Sequence, residues 1–171
     1  MKKPFPLTVC AIGLTSVLIG CASTPVVLAP VGPCSTRQEA SHPNGYLQVF
    51  SVMEPQSEGD DPVWYQHSGY IIYNQQGKRV KYVGNTKGKW DEAPQTVTLP
   101  AGRFTVRART EGYRYILVKV PVVIEHGKTT VVHLEKGWNP APGPPRTEIV
   151  RALSGYAVGL LAASSTSSSD Q

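Results

Sequence analysis

Charged side chains are scarce in this 171-residue chain, at 17% of the total. That is well short of the quarter usual in soluble proteins and excludes a coiled coil or a charge-rich disordered chain. Cysteine occurs only three times, and no apolar run is long enough to cross a bilayer as a helix. His-Glu-x-x-His, Gly-x-Ser-x-Gly, Cys-x-x-Cys, P-loop and dinucleotide glycine patterns are all absent, which removes the commonest sequence-visible catalytic and cofactor sites. What is abundant is punctuation. Gly 16 and Pro 15 call for many short elements joined by turns rather than a helical bundle. The length allows one ordinary domain with tails.

The N-terminus carries an address. Lys2 and Lys3 precede a mostly apolar stretch from Leu7 to Ile19, the form of a secretory signal. The stretch ends Leu18-Ile19-Gly20-Cys21, which resembles the lipobox of bacterial lipoproteins. The resemblance implies cleavage before Cys21, acylation of its thiol and membrane attachment through it. Two or more acyl chains anchor stably, each buried methylene contributing about 0.8 kcal/mol. The alternatives are ordinary cleavage after Val27-Leu28-Ala29, which Pro30 disfavours, and a cytosolic protein with a chance apolar start. Ala22 rather than aspartate after the cysteine suits the outer membrane under the sorting rule of some bacteria. Losing Lys2 and Lys3 lowers the formal charge from +5 to +3. Cys10 leaves with the signal, so Cys34 remains as the sole free thiol, without partners for catalysis or metal binding.

The expected organisation is a signal over 1–20, a lipidated cysteine and Pro-rich tether over 21–44, a β domain over 45–137, and a C-terminal tail over 138–171. The tail is read as a Pro-rich linker, a small-residue helix within Thr147 to Ala163 and a flexible Ser-rich end. Strand signals fall at Tyr46–Met53, Gly69–Tyr73, Arg79–Val83, Thr96–Leu99, Arg103–Arg109, Tyr115–Ile124 and Thr129–Glu135. Alternation is clean where Phe104, Val106 and Ala108 share one face and Arg103, Thr105, Arg107 and Arg109 the other. About seven such strands define an all-β chain, read as a single antiparallel β-sandwich.

Leu99-Pro100-Ala101-Gly102-Arg103-Phe104-Thr105-Val106, followed by Gly112-Tyr113, resembles the carboxypeptidase regulatory-like and prealbumin-like (transthyretin-like) sandwich modules. Ile124 to Leu134 fits their closing hairpin and final strand. The resemblance spans about Gly45 to Lys136 and implies a fold rather than an activity, since these modules bring no catalytic residues of their own.

Candidate sites are few. Trp64, Tyr65 and Trp90 are read as loop-borne rings able to form a stacking platform for a sugar or a protein partner, against a reading in which aromatic rings pack and cap the sandwich. Arg103, Arg107 and Arg109, with Lys78, Arg79, Lys81, Lys87 and Lys89 nearby, form a candidate basic face for anionic polymers or headgroups, but ordinary solubility and edge protection is the favoured reading. Glu54, Glu58, Asp60 and Asp61 read as a solvated acidic loop, because their spacing matches no calcium loop. His42, His67, His126 and His133 are expected at the surface. His67 with Asp60 or Asp61 is the one pairing an enzyme reading can nominate. No metal or cofactor is expected, and export makes nucleic acid an improbable partner. The favoured function is a non-enzymatic envelope lipoprotein that binds or supports an envelope protein or polysaccharide; the alternatives are a carbohydrate-binding module and a small hydrolase.

Overall fold

The computed structural model describes residues 25–33, 43–60, 62–88, 90–110, 116–140 and 148–162. Cys10, Cys21, Cys34, His42, Asp61, Lys89, Gly112, Tyr113, the signal and the Ser-rich end lie outside these residues. The fold is all-β, with twelve strands and no α-helix among the described residues. In chain order the strands are β1 (Val26–Val27), β2 (Asn44–Phe50), β3 (Met53–Gln56), β4 (Trp64–His67), β5 (Tyr70–Asn74), β6 (Arg79–Val83), β7 (Thr96–Pro100), β8 (Gly102–Thr110), β9 (Ile116–Ile124), β10 (Thr129–His133), β11 (Ile149–Arg151) and β12 (Ala157–Leu160).

A five-stranded sheet in the order β1-β9-β8-β5-β6 and a three-stranded sheet in the order β10-β2-β7 carry the body, beside the ribbons β3-β4 and β11-β12. Period-two alternation explains the main layers. On β8 and β9, Val106, Ala108, Val118, Val120, Val122 and Ile124 turn inward and are at most 3% exposed. Leu47 and Val49 on β2, Val97 and Leu99 on β7, and Val132 on β10 join them in one core. Burying each such side chain contributes about 1.5–3 kcal/mol.

Several expectations are corrected. The sheets are mixed rather than antiparallel, because β1 runs parallel to β9 and β10 parallel to β2. Glu125–Lys128 does not close a hairpin. It carries the chain from the five-stranded sheet into the three-stranded one, with Gly127 N–H donating to Asn44 C=O and Tyr46 N–H to Lys128 C=O. Gly45 permits this crossing, since a Cβ there would collide with the Glu125 carbonyl and Ile124. The strand signals at Gly69–Tyr73 and Arg79–Val83 correspond to β5 and β6, which pair antiparallel across the intervening turn.

Much of the supposed tether belongs to the body. Val26 and Val27 pair with Val118 and Lys119, and Val31 is fully buried. Val31 bridges both Val122 and Leu161, while Pro33 bridges Thr130, so this segment closes one side of the core. Pro121 sits in β9 without breaking it. Its carbonyl faces the β1 edge, so its missing N–H falls where that ladder is interrupted between Val27 and Val31. The expected C-terminal helix is instead the hairpin β11-β12, which buries Val150, Ala157 and Val158. Gly159 allows it to lie close, because a Cβ there would stand 2.6 Å from Val31 Cγ1 and 3.0 Å from the Val131 carbonyl.

Candidate functional site

The outer face of the five-stranded sheet follows from the same alternation that builds the core. With Val106 and Ala108 inward, Thr105 and Arg107 become half-buried outward positions, and Arg103 and Arg109 are exposed. The register sets Arg107 between Ile71 on β5 and Lys119 on β9. The three arginines differ in their surroundings. Arg109 forms an ion pair with Glu54 on β3, which draws one member of the supposed acidic loop into a strand and removes Arg109 from the free basic face. Arg107 and Lys119 instead border a groove of ≈ 280 Å³, shared with Tyr73, Asn74, Gln75 and Thr105. On β6 the Arg79 guanidinium lies 5.9 Å from the Tyr82 ring centroid, a cation–π contact on the same sheet.

The aromatic trio does not assemble as one platform. Trp64 and Tyr65 are consecutive residues of β4, not of a loop, so their side chains point to opposite faces of the β3-β4 ribbon. Trp64 is half-buried and meets the exposed Trp90 with ring centroids 5.1 Å apart and planes tilted by 56°. Tyr65 is exposed apart from that pair. Among the other rings, Tyr70 is 1% exposed, while Phe50 and Tyr73 are half-buried.

The structure also builds a polar cluster that sequence spacing did not suggest. His67 and His133 are buried rather than superficial; His126 alone of the described histidines is exposed, its Nδ1–H donating to the Pro43 carbonyl at 3.0 Å. His67 Nδ1–H donates to the Ser51 carbonyl at 2.6 Å, the tautomer following from the fact that a carbonyl only accepts. Its Nε2 faces Glu135 Oε2 at 3.8 Å, and His133 Nδ1 faces Glu135 Oε1 at 3.5 Å. Phe50, His133 and Trp138 form a continuous stack, with centroid separations of 4.6 and 4.2 Å and planes within 14°. His67 meets Phe50 edge-on. The ends of β2 and β10, paired in parallel, bring Phe50 and His133 into register.

Asn85 ties this region to the neighbouring connection. It is 1% exposed with a φ of 63°, a left-handed conformation that asparagine tolerates better than most residues. Its Nδ2 donates to the Val49 carbonyl and to Ser51 Oγ, both at 2.9 Å, and its Oδ1 accepts from Gln95 N–H. Ser51 Oγ–H donates in turn to the Ser68 carbonyl at 2.6 Å. These contacts fasten element ends to one another.

The nominated pairing of His67 with Asp60 is not formed, and Asp61 lies outside the described residues. His67 is held inside against Ser51, whereas Asp60 lies exposed at the far end of the β3-β4 ribbon. Among the described residues no group of three or more His, Cys, Asp or Glu side chains is arranged to hold a metal ion.

No family model matches the chain, and no curated protein matches it. One solved structure, described as the Bacillus anthracis TIE protein, is similar at 20% identity over 54% of this chain, with a TM-score of 0.36. This chain spans 16% of that structure's length, and a similarity so partial says nothing of function.

Proposed function

We propose that this chain is a non-enzymatic bacterial envelope lipoprotein, anchored through acylated Cys21 in the outer membrane, whose β body binds or supports another envelope component. The observation that carries the reading is the Leu18-Ile19-Gly20-Cys21 sequence followed, after only Ala22 to Pro25, by the first strand of a well-packed all-β body. An acyl-anchored cysteine and a rigid binding body joined by so short a segment make a surface-held module. The outward face of the five-stranded sheet supplies polar and cationic groups for a partner.

The reading is tested by metabolic labelling with a palmitate analogue in bacterial cells. Wild type is expected to take up label and fractionate with membranes, and Cys21→Ala to lose both. Label retained by the variant, or a wild-type chain found freely dissolved, would overturn it.

A further inference from the structure

Arg107 and Lys119 are partners across the β8-β9 ladder, so two cations stand directly opposite one another on the outer face. Cross-strand partners hold their Cβ atoms about 5 Å apart, and like charges placed so destabilise a sheet. Elsewhere on this face the chain neutralises its charge, since Arg109 pairs with Glu54. Neither Arg107 nor Lys119 has a carboxylate partner among the described residues. Both are half-buried, where solvent screens their repulsion less than at an open surface. An arrangement unfavourable on its own becomes favourable when an anion sits between the two groups.

We propose that the groove over Arg107 and Lys119 binds an acidic saccharide unit of an envelope polysaccharide, its carboxylate or phosphate oxygens held between the guanidinium and the ammonium. A guanidinium presents a planar fork of donors matched to such oxygens, and the ammonium adds a compact charge. The remaining walls suit the sugar. Tyr73 offers an aromatic surface and a hydroxyl, while Asn74, Gln75 and Thr105 offer amide and hydroxyl groups that pair with ring hydroxyls. A groove of ≈ 280 Å³ falls just below the range of drug-sized ligand sites, about 300 to 1,000 Å³, and fits one saccharide unit rather than a folded partner. The saccharide reading deepens the proposed binding function but is independent of the lipid anchor.

The test is calorimetric titration of the full chain carrying Cys21→Ser. The probes are trigalacturonate, glucose 1-phosphate, maltotriose as an uncharged counterpart, and phosphatidylglycerol vesicles. Binding to at least one of the two acidic sugars is expected, weakening as salt is raised, with none to maltotriose. Arg107→Gln and Lys119→Gln should each weaken binding at least tenfold, and Arg103→Gln, outward on the same strand but beyond the groove, less than twofold. Both groove variants should keep or raise the urea midpoint, because each removes a like-charge pair; lost binding is then not lost fold. Four results would each overturn the proposal: no binding of either acidic sugar, equal binding of maltotriose, an equal loss with Arg103→Gln, or preference for the vesicles through the same residues. Since Cys21 is absent from the protein titrated, none of these results bears on acylation.

Discussion

Replacing Tyr70 by phenylalanine removes a single oxygen from the interior and leaves the ring in place. Tyr70 begins β5 at 1% exposure, and its hydroxyl is buried with no hydrogen-bond partner among the described residues. A buried hydroxyl left unpaired costs about 1–3 kcal/mol in lost hydration. The oxygen's own packing contacts are also lost, which at about 24 cal/mol per Å³ of new void offsets only a few tenths of a kcal/mol. Tyr70→Phe should therefore stabilise the fold by about 1–2 kcal/mol, read as a higher urea midpoint with an unchanged slope. A second, pH-dependent readout comes from the same burial, which pushes the Tyr70 hydroxyl well above the ordinary tyrosine range. The folded chain keeps that proton while the unfolded chain releases it near pH 10. Stability from this group is thus fully present below about pH 10 and declines above it, by up to about 1.4 kcal/mol per pH unit. The variant should lack that part of the alkaline decline. A destabilisation of 1 kcal/mol or more would refute the reasoning by showing that the hydroxyl has a partner in the folded chain, and an alkaline slope the same in both proteins would refute it by showing that the hydroxyl ionises in the folded chain as in the unfolded one.

Two further predictions concern how the body is held together. Asn85→Ala should cost about 2–4 kcal/mol, since it strips partners from the Val49 carbonyl, Ser51 and Gln95 and replaces asparagine at positive φ by a residue that tolerates that conformation less well; Asn85→Gly should cost less by the conformational part, and equal midpoints for the two in urea would deny that part. A chain ended after Gly137 should fail to show a cooperative thermal transition, because it lacks Val150, Ala157 and Val158 from the core; a cooperative melt near the wild-type temperature would show the β11-β12 hairpin to be dispensable.

The legible part of the fold was the part written in period two. On β8 and β9 the inward and outward residues could be read directly, because both strands are long, one face is buried, and a shift of one residue would turn the apolar set outward. The turn before Gly102 and the β5-β6 hairpin were legible through local turn chemistry. What escaped was the partnering. Val26–Val27 is too short to carry a periodicity, and its assignment depends on the free edge of β9, which lies far along the chain. The residues from Ala157 to Leu160 are small and apolar, a composition that fits helix or strand equally until a packed neighbour decides. The histidines were missed for a similar reason. Parallel pairing of β2 with β10 brings His133 beside Phe50, and residue spacing holds no trace of that pairing. Among the candidate residues, the alternation of β8 places Arg107 on the outer face, but only the strand register sets Lys119 opposite it.

The shortened tether changes what a partner of this protein can be. A Pro-rich segment from Cys21 to Gly45 at about 3.1 Å per residue would let the body range about 75 Å from the membrane. With β1 beginning at Val26, the link from Cys21 spans at most about 18 Å when fully extended. A body of this size has a radius of gyration of about 14 Å, so the link is shorter than the body is wide. With Cys21 acylated as proposed, a link this short would confine the β body to a layer against the bilayer and hold the β1-β9 edge of the five-stranded sheet near it. The groove over Arg107 and Lys119 opens on the face of that same sheet, across β9, β8 and β5. On the proposed reading, a polysaccharide meeting it would run close to the membrane surface, where the anchor would raise the local concentration of a weak single-unit site and let many anchored copies hold one chain.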